Sequence, residues 1–175
     1  MTDNDVTHTG GTSADETHAD DIKKIAQLVK SAKIGLLTTR TAEGALVSRP
    51  LGMQEIEFDG DLWFFTQHPS PKTDDIALDP RVNVAFDSGK GWVSIAGHAS
   101  VTRDPGKIDE LWNASAAAWF PGGRDDPTIA LLRVSGDTAE YWSMDDPKLV
   151  TLFKVARAAV TGGQPDVGTN KTVEL

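Results

Sequence analysis

The sequence predicts an α+β domain of six or seven mostly antiparallel strands with two or three flanking helices. Several short segments alternate apolar and polar residues with a period of two, which is typical of half-buried strands. The segment from Asp20 to Ala32 instead repeats its apolar residues at helical spacing. The Asp59-Gly60 pair lies between two apolar runs, and such a pair is a strong signal for an antiparallel hairpin.

Composition limits the kinds of partner that the chain can have. With 175 residues, 39% of them hydrophobic, the chain can bury one sizeable core, which predicts a single domain. A formal net charge of −9 argues against nucleic-acid and membrane-surface partners, since both are usually polyanions. The chain has no cysteine, which excludes disulfides, thiolate zinc sites and a cysteine nucleophile, and favours a cytoplasmic location. No apolar run approaches the ~20 residues that a membrane-spanning helix needs.

The two ends of the chain differ in composition from its centre. Residues 1–19 hold one valine as their only large aliphatic residue after Met1, and they have no basic start or apolar centre of a signal peptide. We therefore expect a disordered tail over 1–19, a folded domain over 20–158 and a flexible tail over 159–175. Leu149 to Val160 can form a helix across the end of the domain.

In the first half of the domain, carboxylates at Asp20-Asp21 and lysines near the other end suit the dipole of a helix over 20–33. Strands follow over Ile34–Thr41, Ala45–Ile56 and Leu62–Gln67. The Asp59-Gly60 signal predicts that the last two of these are antiparallel neighbours.

In the second half, a short helix is expected to end at Asp79, because a proline disfavours helical geometry in the residue before it. Strands are predicted over Arg81–Asp87 and Trp92–Thr102, and Gly97 inside the second indicates a bulge or the close approach of another backbone or a ligand. One helix opens at Asp104 and continues through an apolar stripe to Trp119. The last two strands are predicted over 128–134 and 138–144.

Polar groups follow the strand that ends at Gln67. Thr66 and Ser70 can each donate a hydroxyl proton, Lys72 adds a positive charge, and a helix that begins here would present N–H groups. Arg49 lies in the neighbouring predicted strand, and a guanidinium with an ammonium suits a phosphate monoester. The alternative is a capped turn with an ordinary surface lysine.

The histidines of the folded part, His68 and His98, have no second histidine or acidic residue at ligand spacing. We interpret both as structural or surface residues, and no metal site is predicted.

Several motifs, in this chain order, resemble the general stress protein branch of the pyridoxamine 5'-phosphate oxidase-like flavoproteins. They are Ser48-Arg49-Pro50, Leu62-Trp63-Phe64-Phe65-Thr66, Ser70-Pro71-Lys72, Asp79-Pro80-Arg81-Val82, Val93-Ser94-Ile95-Ala96-Gly97, Glu110-Leu111-Trp112 and Trp119-Phe120-Pro121. The resemblance spans about residues 20 to 145.

The resemblance implies a split β-barrel homodimer that binds FMN near the subunit interface. Arg49 and Lys72 would hold the flavin phosphate together with Thr66 and Ser70. The ring would be flanked by backbone around three residues, which are Pro50, Leu51 and Phe65. Trp119 and Phe120 would either cover the flavin, from the same or the partner subunit, or serve as core or dimer contacts.

Two functions are consistent with this resemblance. The first is a flavin-dependent oxidoreductase acting on a nicotinamide donor or a small organic molecule, and the second is a stress protein that binds or buffers flavin without turnover. FAD or the deazaflavin cofactor F420 could replace FMN, because related split barrels use them. Vitamin-B6 oxidation is not expected, since the tryptophan- and arginine-bearing final segment of the true oxidases is missing from this sequence.

Overall fold

The computed structural model describes residues 14–54, 58–143 and 169–175, and all seven strands within them join one antiparallel sheet. The helices are α1 (Ala14–Ser31), α2 (Pro71–Leu78), α3 (Pro105–Leu111) and α4 (Ala114–Trp119). The strands are β1 (Ile34–Arg40), β2 (Leu46–Gly52), β3 (Asp61–Gln67), β4 (Arg81–Asp87), β5 (Gly91–Thr102), β6 (Ile129–Ser143) and β7 (Thr169–Glu174). Their order is β2-β1-β4-β5-β6-β3, with β7 also paired to β6. The predicted α+β class is confirmed.

The long strand β6 organises the second half of the sheet. β5 runs along one side of it, while β3 pairs with residues 129–135 and β7 with residues 138–143 on the other. The register between β5 and β6 shifts between Ala96 and Gly97. The bulge predicted at Gly97 is therefore confirmed.

Two apolar clusters fill the described part of the chain. The main core lies between α1 and the sheet, with Ile25, Leu37, Phe64 and Ile95 fully buried. A smaller cluster under α3 and α4 contains Ile108, Leu111, Phe120, Ile129 and Leu131. The alternation of buried and exposed residues along β3, β4 and β5 follows directly from the period of two in the sequence.

The predicted hairpin between the second and third strands is wrong. β2 pairs with β1, and β3 pairs with β6. β2 ends at Gly52, so Asp59 and Gly60 form a bend before β3 and do not join two paired strands. An Asp-Gly pair makes a tight hairpin only when both strands end at the turn.

Two further element boundaries differ from the predicted ones. The single helix predicted from Asp104 to Trp119 is divided, since the Asn113 side chain accepts a hydrogen bond from the Ala116 N–H at 2.9 Å and so caps a new helix. The two strands predicted over 128–134 and 138–144 are one strand up to Ser143, because β5 pairs with both parts across the bulge.

The tail boundaries also need correction. α1 begins at Ala14, so residues 14–19 belong to a helix and not to the predicted tail. Thr169–Glu174, which were assigned to the flexible tail over 159–175, form β7 against β6. The helix predicted over Leu149–Val160 lies outside the described residues.

Candidate functional site

Arg49 occupies the core-facing side of β2, opposite Leu37 of β1. Its Nη1 donates to Thr39 Oγ1 at 2.6 Å, and the Thr39 hydroxyl donates to Asp75 Oδ2 at 2.7 Å. Arg49 Nη2 lies 3.6 Å from the same carboxylate oxygen, and the two side chains are only 20% and 13% exposed. The guanidinium is thus held at the junction of β1, β2 and α2.

Lys72 stands near Arg49 at the start of α2. Its Nζ lies 3.3 Å from Ser70 Oγ, and Ser70 is the residue that immediately precedes the helix. Burial, and then the positive charge of Arg49, lower the pKa of the Lys72 ammonium. The structure therefore brings together Arg49, Ser70 and Lys72, as the sequence predicts. With Asp75 beside them, the two cations leave one net positive charge.

Thr73 fixes the loop that carries Ser70. The Ser70 N–H donates to Thr73 Oγ1 at 2.9 Å, and the Thr73 hydroxyl donates to the Ser70 carbonyl at 2.8 Å. His68 Nδ1 also lies 3.2 Å from Thr73 Oγ1. This places His68 in a structural contact and gives the Ser70 backbone a defined position beside Lys72.

Thr66 and Leu51 are less directly connected to this site. Thr66 is 3% exposed, and its hydroxyl makes a 3.4 Å contact with the carbonyl of Gln67. Leu51 is half-buried and packs on the main core, whereas Pro50, one residue earlier, is exposed. Pro50 and Leu51 directly follow Arg49 in β2. The backbone predicted to flank the flavin ring therefore begins at the residue after Arg49.

The aromatic candidates separate into a buried and an exposed group. Phe65 packs edge-on against Trp112, with ring centroids 5.6 Å apart, and at a tilt against Phe120 at 6.1 Å. Phe120 is 6% exposed, whereas Trp119 beside it is 79% exposed. The side chains of Phe65 and Phe120 thus belong to the smaller core cluster, while the ring of Trp119 faces solvent.

Sequence reasoning missed Thr39 and Asp75, which link Arg49 to α2. Thr39 lies two residues after the buried Leu37, so the period of two already indicates that its side chain faces inward. Asp75 follows Lys72 by three residues, which puts both on neighbouring parts of one helix. No local signal, however, joins either residue to Arg49.

A cleft of about 1040 Å³ opens between α1, the end of β2, the start of β3 and the start of α4. Its lining combines Val29, Met53 and Trp63 with the polar side chains of Gln54 and Asn113. Gln54 is 8% exposed, and its Oε1 accepts a hydrogen bond from Asn113 Nδ2 at 2.8 Å. β2 leads from Arg49 to Gly52 at the edge of this cleft, over about 10 Å at the usual rise of a strand.

The described part of the chain contains neither a cluster of metal ligands nor a helix that could span a membrane. Within residues 14–54, 58–143 and 169–175, no group of three or more histidine, cysteine or acidic side chains is arranged to hold a metal ion. Among the helices of those ranges, none combines the length and the apolar character needed to cross a membrane.

Comparison with known proteins identifies similar sequences and folds. Residues 20–166 match the protein family described as "Pyridoxamine 5'-phosphate oxidase like". Protein bli-3 of Neurospora crassa is 32% identical over 166 residues, which cover 88% of this chain and 78% of that protein.

Solved structures share the fold over most of the chain. A candidate general stress protein 26 from Jannaschia sp. CCS1 has a TM-score of 0.72 at 25% identity, covering 90% of this chain and 99% of its own. The general stress FMN/FAD binding protein from Xanthomonas citri has a TM-score of 0.64 at 32% identity, covering 77% of this chain and 93% of its own. The predicted split-barrel fold and the predicted resemblance are thereby confirmed.

Proposed function

The chain belongs to the pyridoxamine 5'-phosphate oxidase-like family, and we propose that it binds FMN with the flavin phosphate between Arg49 and Lys72. The observation that carries this proposal is that Arg49 is held against Asp75 of α2, the helix whose first turn carries Lys72. Burial, and then the positive charge of Arg49, lower the pKa of Lys72. The Asp75 carboxylate offsets only part of the repulsion between the two cations, and a phosphate monoester supplies up to two further negative charges. The general stress protein of Xanthomonas citri is described as binding FMN or FAD, which supports a flavin ligand for this chain.

The donors at this site have the chemistry that a phosphate requires. A guanidinium can bond two phosphate oxygens at once, an ammonium adds a movable charge, and the Ser70 hydroxyl lies between the strand and the helix. Thr66 would complete the set at the end of β3. FAD and F420 also carry phosphate groups, so the same cations would accept them, and FMN is the ligand we place first.

The flavin ring would lie along the backbone of β2 and β3. We assign its flanking backbone to Pro50, Leu51 and Phe65, and a covering contact to the exposed ring of Trp119. Phe120 would act indirectly, by packing against Phe65 beneath the site.

A homodimer is the second part of the proposal. Ile34, Leu36 and Leu46 are 57%, 49% and 75% exposed, and their register puts them on one face of β1 and β2, opposite to the face that carries Arg49. Large apolar side chains clustered on a sheet face are typical of an interaction surface. A second copy of the chain would cover this face.

The most specific activity we propose is that of a cytoplasmic flavin-dependent oxidoreductase. A bound flavin supplies hydride or single-electron transfer, and the protein supplies position and shielding from solvent. The cleft beside Gly52, lined by apolar side chains and the Gln54–Asn113 amide pair, offers room for a small organic substrate or a nicotinamide donor. A flavin-buffering stress protein would bind the cofactor in the same way but would not need this cleft.

The test begins with the visible absorbance of the purified protein after incubation with FMN and desalting, with FAD and F420 in parallel. We expect a flavin band near one cofactor per subunit. Replacing Arg49 and Lys72 together with alanine should weaken FMN binding at least tenfold, because hydrogen bonds to charged groups contribute roughly 1.5–3 kcal/mol each.

Lys90→Ala is the matched control, since Lys90 is an exposed lysine in the turn between β4 and β5. It should leave FMN affinity unchanged. A wild-type protein that retains no chromophore would overturn the flavin proposal, and unchanged affinity in the double variant would overturn the assignment of the phosphate site.

A further inference from the structure

We propose that Thr39 and Asp75 are positioning residues that set the distance between Arg49 and Lys72 for a phosphate monoester, a role that rests on the proposed flavin site. Neither residue carries a positive charge that could bind a phosphate. Both lie behind the Arg49 guanidinium, in a series of hydrogen bonds that runs from Arg49 through Thr39 to Asp75. They would act on the ligand through Arg49.

The direction of each hydrogen bond in this series follows from which groups can donate and which can accept. A carboxylate only accepts, so the single hydroxyl proton of Thr39 is donated to Asp75 Oδ2. The Thr39 oxygen then has lone pairs free to accept from Arg49 Nη1. Since Thr39 is 1% exposed, water cannot readily replace its hydroxyl in this arrangement.

The same series of hydrogen bonds also links Arg49 to α2, the helix that carries Lys72. Asp75 belongs to α2 and lies three residues after Lys72. Thr39 belongs to β1, which pairs with β2 through Thr39 opposite Val47 and Leu37 opposite Arg49. Arg49 on the sheet and Lys72 on the helix are thus connected through one buried hydroxyl.

Asp75 also acts through its charge, which is opposite to the charges of Arg49 and Lys72. Burial is the main cause that lowers the pKa of Lys72, and repulsion by the Arg49 charge is the second. The Asp75 carboxylate lies 3.6 Å from Arg49 Nη2 and offsets part of this repulsion before a ligand binds. The site is therefore organised in advance for an anion, which lowers the cost of ordering the two cations on binding.

A pair of flavins separates positioning for phosphate from a general structural role. FMN carries the phosphate monoester, and riboflavin has the same ring and ribityl chain without it. In Thr39→Val, which has nearly the same shape but no hydroxyl, we expect FMN affinity to fall about tenfold while riboflavin affinity stays within about twofold. Thr39→Ser keeps the hydroxyl and should restore FMN affinity to within about threefold of the wild type.

A double-variant cycle then tests whether Thr39 acts through Arg49. If it does, adding Thr39→Val to Arg49→Ala should cause little further loss of FMN affinity. An undiminished tenfold loss in that background would overturn the positioning role. Circular dichroism melting confirms that each variant is folded, and Thr39→Ala replaces Thr39→Val if the valine variant does not fold.

The outcomes distinguish this inference from the proposed function. If wild-type protein prefers FMN to riboflavin but Thr39→Val weakens both equally, the positioning role fails and the flavin site stands. If wild-type protein binds neither flavin, the proposed function fails and the positioning role fails with it.

Discussion

Gly97 of β5 lies directly opposite Gly136 of β6, at the point where the register between the two strands shifts. A Cβ atom at Gly97 would collide with the backbone carbonyl of Ser135. Because backbone cannot rotate away as a side chain can, Gly97→Ala should force the two strands apart. We expect a loss of about 1–3 kcal/mol in the free energy of unfolding, measured by chemical denaturation.

Gly52→Ala is the control for this prediction. Gly52 is also a strand glycine, and a Cβ there would meet no atom within 4 Å. Its substitution should change the free energy of unfolding by no more than about 0.5 kcal/mol. Equal effects of the two substitutions would show that the close contact at Gly97 does not determine the stability of the bulge.

Local patterns in the sequence predicted the strands better than their partners. β4 begins and ends where the alternation of Arg81–Asp87 predicts, because one face of that strand is buried along its whole length. The pairing of β3 with β6 joins residues such as Phe64 and Leu132, which are far apart in the chain. A turn signal carries information about a few neighbouring residues only, so the Asp59-Gly60 pair could not reveal this partner.

The same distinction applies to the candidate site. Arg49, Ser70 and Lys72 could be proposed together because their side chains have the chemistry of a phosphate site, but the hairpin that was expected to bring Arg49 near Lys72 does not form. Thr39 and Asp75 are separated by 36 positions in the chain, and their hydrogen bond exists only because α2 packs near β1. Contacts of this kind follow from the tertiary fold, which residue type and spacing do not encode locally.

The pKa of Lys72 predicts how FMN binding depends on pH. Burial and the Arg49 charge lower the pKa of its ammonium, so the lysine loses its charge at a lower pH than an ordinary lysine. Between about pH 7 and that pKa the ammonium and the phosphate dianion are both present, and affinity should be highest. Affinity should fall as the pH rises through the lowered pKa.

Fluorescence titration at a series of pH values measures this effect, with riboflavin as the reference because any titration of the ring affects both ligands. Lys72→Met should bind FMN more weakly and should lack the alkaline loss in the ratio of FMN to riboflavin affinity. The same alkaline loss in Lys72→Met would assign it to another group.

Asp21 ties α1 to the last two strands and should make stability depend on pH. Its carboxylate accepts hydrogen bonds from Lys171 Nζ at 2.8 Å and from the Tyr141 hydroxyl at 2.8 Å. The bond from Lys171 is the main cause that lowers the pKa of Asp21 below its ordinary value. A carboxylate with a lowered pKa stabilises the folded state above its unfolded pKa, and this contribution is lost as the pH falls through the folded pKa.

Asp21→Asn should therefore lower the free energy of unfolding by about 1 kcal/mol at pH 7, a modest value because the Lys171 side chain is 40% exposed. The difference from wild type should shrink as the pH drops below about 4. Asp20→Asn is the control, since Asp20 is 76% exposed and pairs only at 3.4 Å with Lys23. A difference that persists unchanged at low pH would show that the ion pair is not its cause.

The proposed dimer predicts a change in molecular mass when the exposed face of β1 is charged. Leu36 is 49% exposed between Pro50 and Ala85 on the neighbouring strands, so Leu36→Lys should place an ammonium at the centre of the interface. We expect the apparent mass in sedimentation or light scattering to fall from dimer to monomer. Leu78→Lys, at a 68% exposed position on α2, should remain dimeric. A monomeric wild-type protein would contradict the proposed interface.

Trp119 and Phe120 are adjacent in sequence but differ in burial. Substitution of Phe120 should therefore lower stability, whereas substitution of Trp119 should weaken flavin binding. Trp119 is 79% exposed, so Trp119→Ala should change the free energy of unfolding by no more than about 0.5 kcal/mol. Phe120 is 6% exposed and packs on Phe65, so Phe120→Ala should lower the free energy of unfolding by about 3 kcal/mol.

If the indole of Trp119 covers the flavin, its removal should weaken FMN binding about three- to tenfold, the range expected for one aromatic contact. Riboflavin affinity should fall by the same factor, because the contact is with the ring and not with the phosphate. Unchanged affinity for both flavins in Trp119→Ala would contradict the covering contact.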